Sequence, residues 1–159
     1  MSDLLGDGNI KVTVVPTLSN LSNPPAAELN AGVDLQEVLT KDGLDISPEQ
    51  AAVDNTSLAS RDETEDAGTT KYSLELTVKI QEDEVDDVGT TTLVDRQKLY
   101  LAVRRNRPHE DDYEAGDPVE IYPVRCGRPR KQPPAINTPQ TFKVKLFNHT
   151  APDPVAVVA

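Results

Sequence analysis

The chain has no tryptophan, one methionine and one cysteine among its 159 residues, and aromatic residues make up only 4%. A single cysteine, Cys126, excludes an intrachain disulfide. With so few rings, aliphatic side chains must fill the core. At 36% hydrophobic the chain is lean for a free-standing globule, yet too apolar for wholesale disorder. Part of its stability is therefore expected from a partner or from copies of itself. No apolar run approaches the roughly 18 residues that a membrane-spanning helix requires, so no membrane partner is expected. The opening MSDLLGDGNIKV has neither a basic start nor a long apolar stretch, so no secretory signal is expected and the protein is read as soluble when made.

Catalytic patterns are missing too. There is no Gly-x-Ser-x-Gly turn, no glycine-rich phosphate loop and no dinucleotide fingerprint. Both histidines sit in polar contexts, which makes a Cys–His nucleophile pair improbable and leaves Cys126 as a partly buried structural thiol. The acidic run Gln81–Gly89 lacks the ligand spacing of a calcium loop and reads as a solvated turn. His109-Glu110-Asp111-Asp112 offers donors without zinc spacing. No enzymatic activity, cofactor or metal is expected.

Positive charge is scarce, with a formal net charge of −11. Residues 34–95 carry 17 acids and 4 bases, or −13, whereas residues 96–149 carry 11 bases and 6 acids, or +5. An acidic chain repels a phosphate backbone, because DNA affinity rests largely on Lys and Arg displacing counterions. The exception is RCGRPRKQPP, where Arg125, Arg128, Arg130 and Lys131 cluster. Its Gly127-Arg128-Pro129 centre matches half of an AT-hook, the Arg-Gly-Arg-Pro clamp of the DNA minor groove. Cys126 occupies the place of the first arginine, and the segment lies between two predicted strands. The reading that competes is a loop that meets acid on another copy, giving charge complementarity that sets register.

Strand signals dominate. Tyr72, Leu74, Leu76, Val78 and Ile80 alternate with polar residues, a period of two that buries one face. Ile10, Val12 and Val14 alternate likewise, as do Phe142, Val144 and Leu146. Leu99–Val103 and Val119–Cys126 read as strands, Pro123 demoting the second to an edge or bulge. Val33–Thr40 is expected to be extended and to end in a tight turn at Asp42-Gly43. Ser47-Pro48-Glu49-Gln50 predicts the start of a helix of one or two turns. Asp86–Arg96 is a second helix candidate, with Arg96 suited to the dipole at its end. Arg104–Gly116 reads as a polar loop, and Gly127–Pro139, with its four prolines, as a long extended connection. The expectation is a mainly β fold: a β-sandwich or barrel of about six or seven strands with one flanking helix. It forms one domain over residues 1–159, with extended ends at 1–9 and 150–159 that assembly would order. A neighbouring subunit would bury the apolar tail PDPVAVVA.

Several segments taken in order are similar to a known family. They are LNAGVDLQEVLTKDGLDISPEQAAVDNTSLAS, KYSLELTVKI, TTTLVDR, LYLAVRR, AGDPVEIYPVRCG and KQPPAINTPQTFKVKLF. In this order and spacing, over roughly residues 28–150, the chain resembles the major tail proteins of long-tailed actinobacteriophages, the subunits of their tail tubes. The resemblance implies a β-sandwich or barrel core and six copies closing into rings. Those rings would stack into a hollow tube that conducts the genome at ejection. It also implies the tape measure, terminator and distal tail proteins as partners, assembly in the host cytoplasm and residence in the virion. A ring of six would carry 6 × −11 = −66 formal charges, and DNA would pass an acidic wall without sequence-specific binding. Candidate subunit contacts are then Arg125, Arg128, Arg130 and Lys131, facing the acidic run Glu82, Asp83, Glu84, Asp86 and Asp87 of a neighbour.

Overall fold

A computed structural model describes residues 2–83 and 87–159. Among the described residues nine strands and two short helices follow one another: β1 (Lys11–Val15), α1 (Ala26–Asn30), β2 (Val33–Asp34), β3 (Leu39–Asp54), β4 (Glu65–Lys79), α2 (Val88–Thr92), β5 (Lys98–Arg104), β6 (Pro118–Cys126), β7 (Arg130–Lys131), β8 (Thr141–Asn148) and β9 (Asp153–Val157). All pairings are antiparallel, in the order β2-β1-β5-β6-β8-β4-β3, with β7 added to β8 and β9 added to β6. The fold is thus mainly β, as expected, with two short helices in place of one.

The alternation read from the sequence explains the main core. Leu74, Leu76 and Val78 of β4 meet Phe142, Val144 and Leu146 of β8. Val12 and Val14 join Leu99, Leu101, Val103, Tyr122, Val124 and Cys126 on the same inner face. A second cluster covers the opposite face of β5 and β6, where Ala102, Val119 and Ile121 lie under Leu29 of α1, Tyr113, and Ala156 and Val158 of the tail. Leu29 is fully buried, and its burial is worth about 2 kcal/mol. Buried on both faces, β1 and β5 carry Lys11 and Arg104, respectively, where a one-faced strand would meet water.

Three local expectations are corrected. Residues 47–54 are not helical: they pair with β4 from Ser47↔Ser73 to Asp54↔Glu65, and this ladder outweighs the local capping signal. Pro48 fits because β3 ends the sheet, so its missing N–H removes no bond to a further strand. Nor is Asp42-Gly43 a hairpin turn. The chain already turns after β2, and residues 42–43 fall at a register shift within β3, between Leu39 and Leu44. Gly43 is required there because a Cβ would come within 2.4 Å of the Thr77 carbonyl oxygen. Pro123 is neither edge nor bulge, since β6 is central. Its carbonyl accepts the His149 N–H at 3.2 Å, so its nitrogen faces the same side, where the neighbour of β6 changes from β9 to β8. The missing donor falls in that gap.

The second helix candidate shrinks to α2, the single turn Val88–Thr92, leaving Arg96 outside it with φ at +67°. The tail pairs in part with β6 of its own chain, burying Ala156 and Val158. Val155 and Val157 stay exposed on its other side.

Candidate assembly surface

The basic segment is folded onto the sheet. Gly127 N–H donates to the Lys145 carbonyl at 2.7 Å, and Arg130 and Lys131 form β7 along β8. Arg125 stands on β6 between Lys98 and Phe147 of the adjoining strands. Arg125 and Arg128 are exposed, while Arg130 lies 3.8 Å from Glu75, a carboxylate it shares with Lys143 at 3.9 Å. A minor-groove clamp needs a free extended peptide, and this segment is not one.

The acidic run is only partly described: Glu84 and Asp86 lie outside the described residues. Glu82 and Asp83 are exposed just past the end of β4. Asp87 lines a cleft of about 220 Å³ together with Lys131, Pro129, Ile80, Leu93 and Phe142. One acid and one base of the expected intersubunit pair thus border one cleft on a single chain.

The sequence reading missed two features. The first is a polar knot beneath the loop after β5. Arg104 is fully buried, yet its guanidinium donates to the carbonyls of Pro108 (2.8 Å), Asp111 (2.8 Å) and Asp112 (2.9 Å). It also lies 3.6 Å from the Asp117 carboxylate and over the Tyr113 ring. Arg107 closes the same loop through Asp117 at 2.6 Å and Glu114 at 3.0 Å. From Tyr113 the network runs on: its hydroxyl donates to Thr13 Oγ1 (2.9 Å), which donates to Asp34 (2.7 Å), and Asp34 pairs with the buried Lys11. Burial raises the Tyr113 pKa to about 12, so it remains a donor. Burial alone would raise the Asp117 pKa, but the Glu114 N–H and Arg107 more than offset this and hold it below 3.8. The available signal was an arginine closing the apolar strand LYLAVR ahead of a long acidic loop.

The second feature is a projecting arm. The distal half of the β3–β4 hairpin, with its 55–64 connection, is almost wholly exposed, and Leu58 near its tip is fully so.

Cys126 is buried, and burial, with Asp95 second, pushes its thiol up to about 11. Among the described residues no group of three His, Cys, Asp or Glu side chains could hold a metal ion. His109 Nδ1 is instead 3.1 Å from the Gly8 carbonyl oxygen.

The structure is an antiparallel β fold with a projecting hairpin arm. More narrowly, the chain belongs to the phage tail tube protein family, whose family model matches residues 1–159. It is a non-enzymatic structural component of the phage tail within the virion. Among solved structures, a chain of the anti-feeding prophage baseplate, described as a 6-fold symmetrised cryo-EM structure, is similar at TM-score 0.51 and 13% identity, covering 94% of this chain and 95% of that one. That likeness concerns the fold alone. A search of curated proteins found no match.

Proposed function

We propose that this chain closes into hexameric rings that stack into the hollow tail tube of a long-tailed phage, through which the genome passes at ejection. The observation that carries the reading is the family match over the whole chain, joined to its charge. A wall of such subunits offers DNA few cations and so avoids the counterion-release attraction that would stall the cargo. The six-fold assembly that holds the similar chain supports a ring of six. Tape measure, terminator and distal tail proteins are the further partners of such a tube, which assembles in the host cytoplasm. The segment order from Leu29 to Phe147 supports a source among the long-tailed actinobacteriophages. Recovery of this chain from virions grown on an actinobacterial host tests that source.

In this reading Arg125, Arg128, Arg130 and Lys131 contribute to contacts between copies, with the acidic run at 82–87 as one source of opposing charge. Electron microscopy of the purified protein is expected to show six-fold rings or hollow tubes. A strictly monomeric species at high concentration, with no tubes in virions, would refute the proposal. Changing Arg128 and Arg130 to Glu is expected to block tubes while leaving the β signature in circular dichroism. Normal tubes from that variant would make the basic loop a solvated connector.

A second reading is favoured by the baseplate origin of the similar structure. As a terminator or other end component, or a decoration domain, the chain would form a single ring or bind a finished particle without polymerising. Copy number decides: a tube subunit is among the most abundant proteins of the virion. A small DNA-binding factor acting through the GRPRK segment would instead show duplex binding near physiological salt, abolished by Arg128→Ala.

A further inference from the structure

The antiparallel registers place six cations on one outer sheet face: Lys98, Arg125, Lys145, Lys143, Arg130 and Lys79. Each lies on the opposite side of its strand from the buried Leu99, Val124, Leu146, Val144 and Val78. Glu75 is the acid set among them, and Asp45 and Lys71 at the margin offset each other, so the face carries a net charge of about +5. Phe147 sits in its middle, 53% exposed, beside a cleft of about 360 Å³ lined by Tyr72, Lys145, Asn148, Thr150 and Pro152. The field of this face reaches His149, whose pKa is lowered by burial first and then by Lys98 and Arg125.

The projecting arm has the opposite character. Residues 49–66 hold six acids (Glu49, Asp54, Asp62, Glu63, Glu65, Asp66) and one base, Arg61, for a net of −5. Its ladder with β4 continues from Glu49↔Lys71 to Asp54↔Glu65, about 20 Å of strand at 3.3 Å per residue. Beyond it, Leu58 offers a fully exposed apolar side chain. The arm cannot reach the basic face of its own chain. Both belong to β4, a continuous strand from Glu65 to Lys79, and folding back would break the β3–β4 ladder.

We propose that the acidic β3–β4 arm of one copy lies across the basic β8 face of a second copy, with Leu58 entering the cleft beside Phe147. The inference rests on the self-assembly reading and names its contact. It replaces the 82–87 run with the arm as the main acidic partner, because Asp87 already borders a cleft with Lys131 on its own chain. A second copy is the occupant because its arm matches the face in charge and supplies an apolar residue. DNA would supply phosphates alone and would meet an acidic body.

Charge swapping in the full chain tests the contact. Lys143→Glu with Lys145→Glu, and separately Glu63→Lys with Glu65→Lys, are expected to raise the concentration needed for assembly by roughly tenfold or more, with the β signature intact. All four changes in one chain restore assembly toward the starting level. Carbodiimide coupling in mixed ¹⁴N and ¹⁵N protein is expected to join Lys143 or Lys145 of one copy to Glu63 or Glu65 of another. Either pair of reversals assembling as the unaltered chain does would overturn the contact and leave the tube reading standing. The same holds for a folded four-fold variant that fails to recover, or for mixed-isotope links that avoid these lysines. An unaltered chain that never assembles overturns both. Duplex DNA binding that is lost in the Lys143/Lys145 variant while assembly is unchanged assigns the face to nucleic acid instead.

Discussion

Replacing Arg104 with Ala tests the buried knot most directly. The guanidinium is fully buried, donates to three carbonyls and neighbours the Asp117 carboxylate at 3.6 Å. Removing it leaves the Pro108 and Asp111 carbonyls without this donor, whereas Asp112 keeps Arg107 at 3.0 Å. The Pro108 carbonyl keeps the Asp111 N–H at 3.1 Å, so the Asp111 carbonyl is the acceptor left stranded, at a cost of about 1–3 kcal/mol. Asp117 keeps Arg107, so the carboxylate is not abandoned. The cavity left by a fully buried side chain adds about 2 kcal/mol, for a sum of about 3–5 kcal/mol. For a chain of this length that corresponds to a fall in melting temperature of about 9–15 °C. Arg104→Lys keeps the charge but cannot span three acceptors, and is expected to lose about half as much. Urea and thermal unfolding followed by circular dichroism measure both. If Arg104→Ala lost less than about 1 kcal/mol, the knot would be an incidental loop contact and not what fixes the 105–117 segment on the sheet.

The other predictions draw on the same geometry. Because the folded-state pKa of Asp117 is depressed, its stabilisation is present above the ordinary carboxylate value and lost as pH falls through the folded value; Asp117→Asn flattens stability against pH in that acidic window. Cys126, with its thiol raised to about 11, is expected to resist a thiol reagent at neutral pH in the native state and react fully in denaturant. Gly43→Val is expected to destabilise by about 1–3 kcal/mol in thermal melts, since its Cβ meets the Thr77 carbonyl at 2.4 Å. An unchanged melting temperature would mean that the bulge relaxes freely. Tyr113→Phe removes one buried hydroxyl bond to Thr13 and is expected to lose about 1 kcal/mol, read as a lower urea midpoint.

Much of the fold was legible because strand alternation is a local property. The runs at 72–80 and 142–146 each state in their own residues which side is buried, and the structure buries those sides. Ser47-Pro48-Glu49-Gln50 misled because a capping signal is worth about 1 kcal/mol, whereas a ladder to β4 is a long-range fact that the segment itself does not contain. Arg104 was hidden for a related reason. In the sequence it reads as the first residue of a polar loop, and only the arrival of α1, Tyr113 and the tail on the second face of the sheet turns an exposed arginine into a buried one.

By composition and order alone, the chain was determined to be an acidic, disulfide-free, mainly β protein resembling tail tube subunits. Those properties follow from residue identity and local period, which no folding can alter. Which charges share a surface was decided only by tertiary structure. Lys98, Arg125, Lys143 and Lys145 come from three strands, and antiparallel register alone sets them side by side. The same registers carry the acids of residues 49–66 out along an arm and away from that face. Linear charge blocks can show that a protein is two-signed; hydrogen-bond register decides where the two signs can meet.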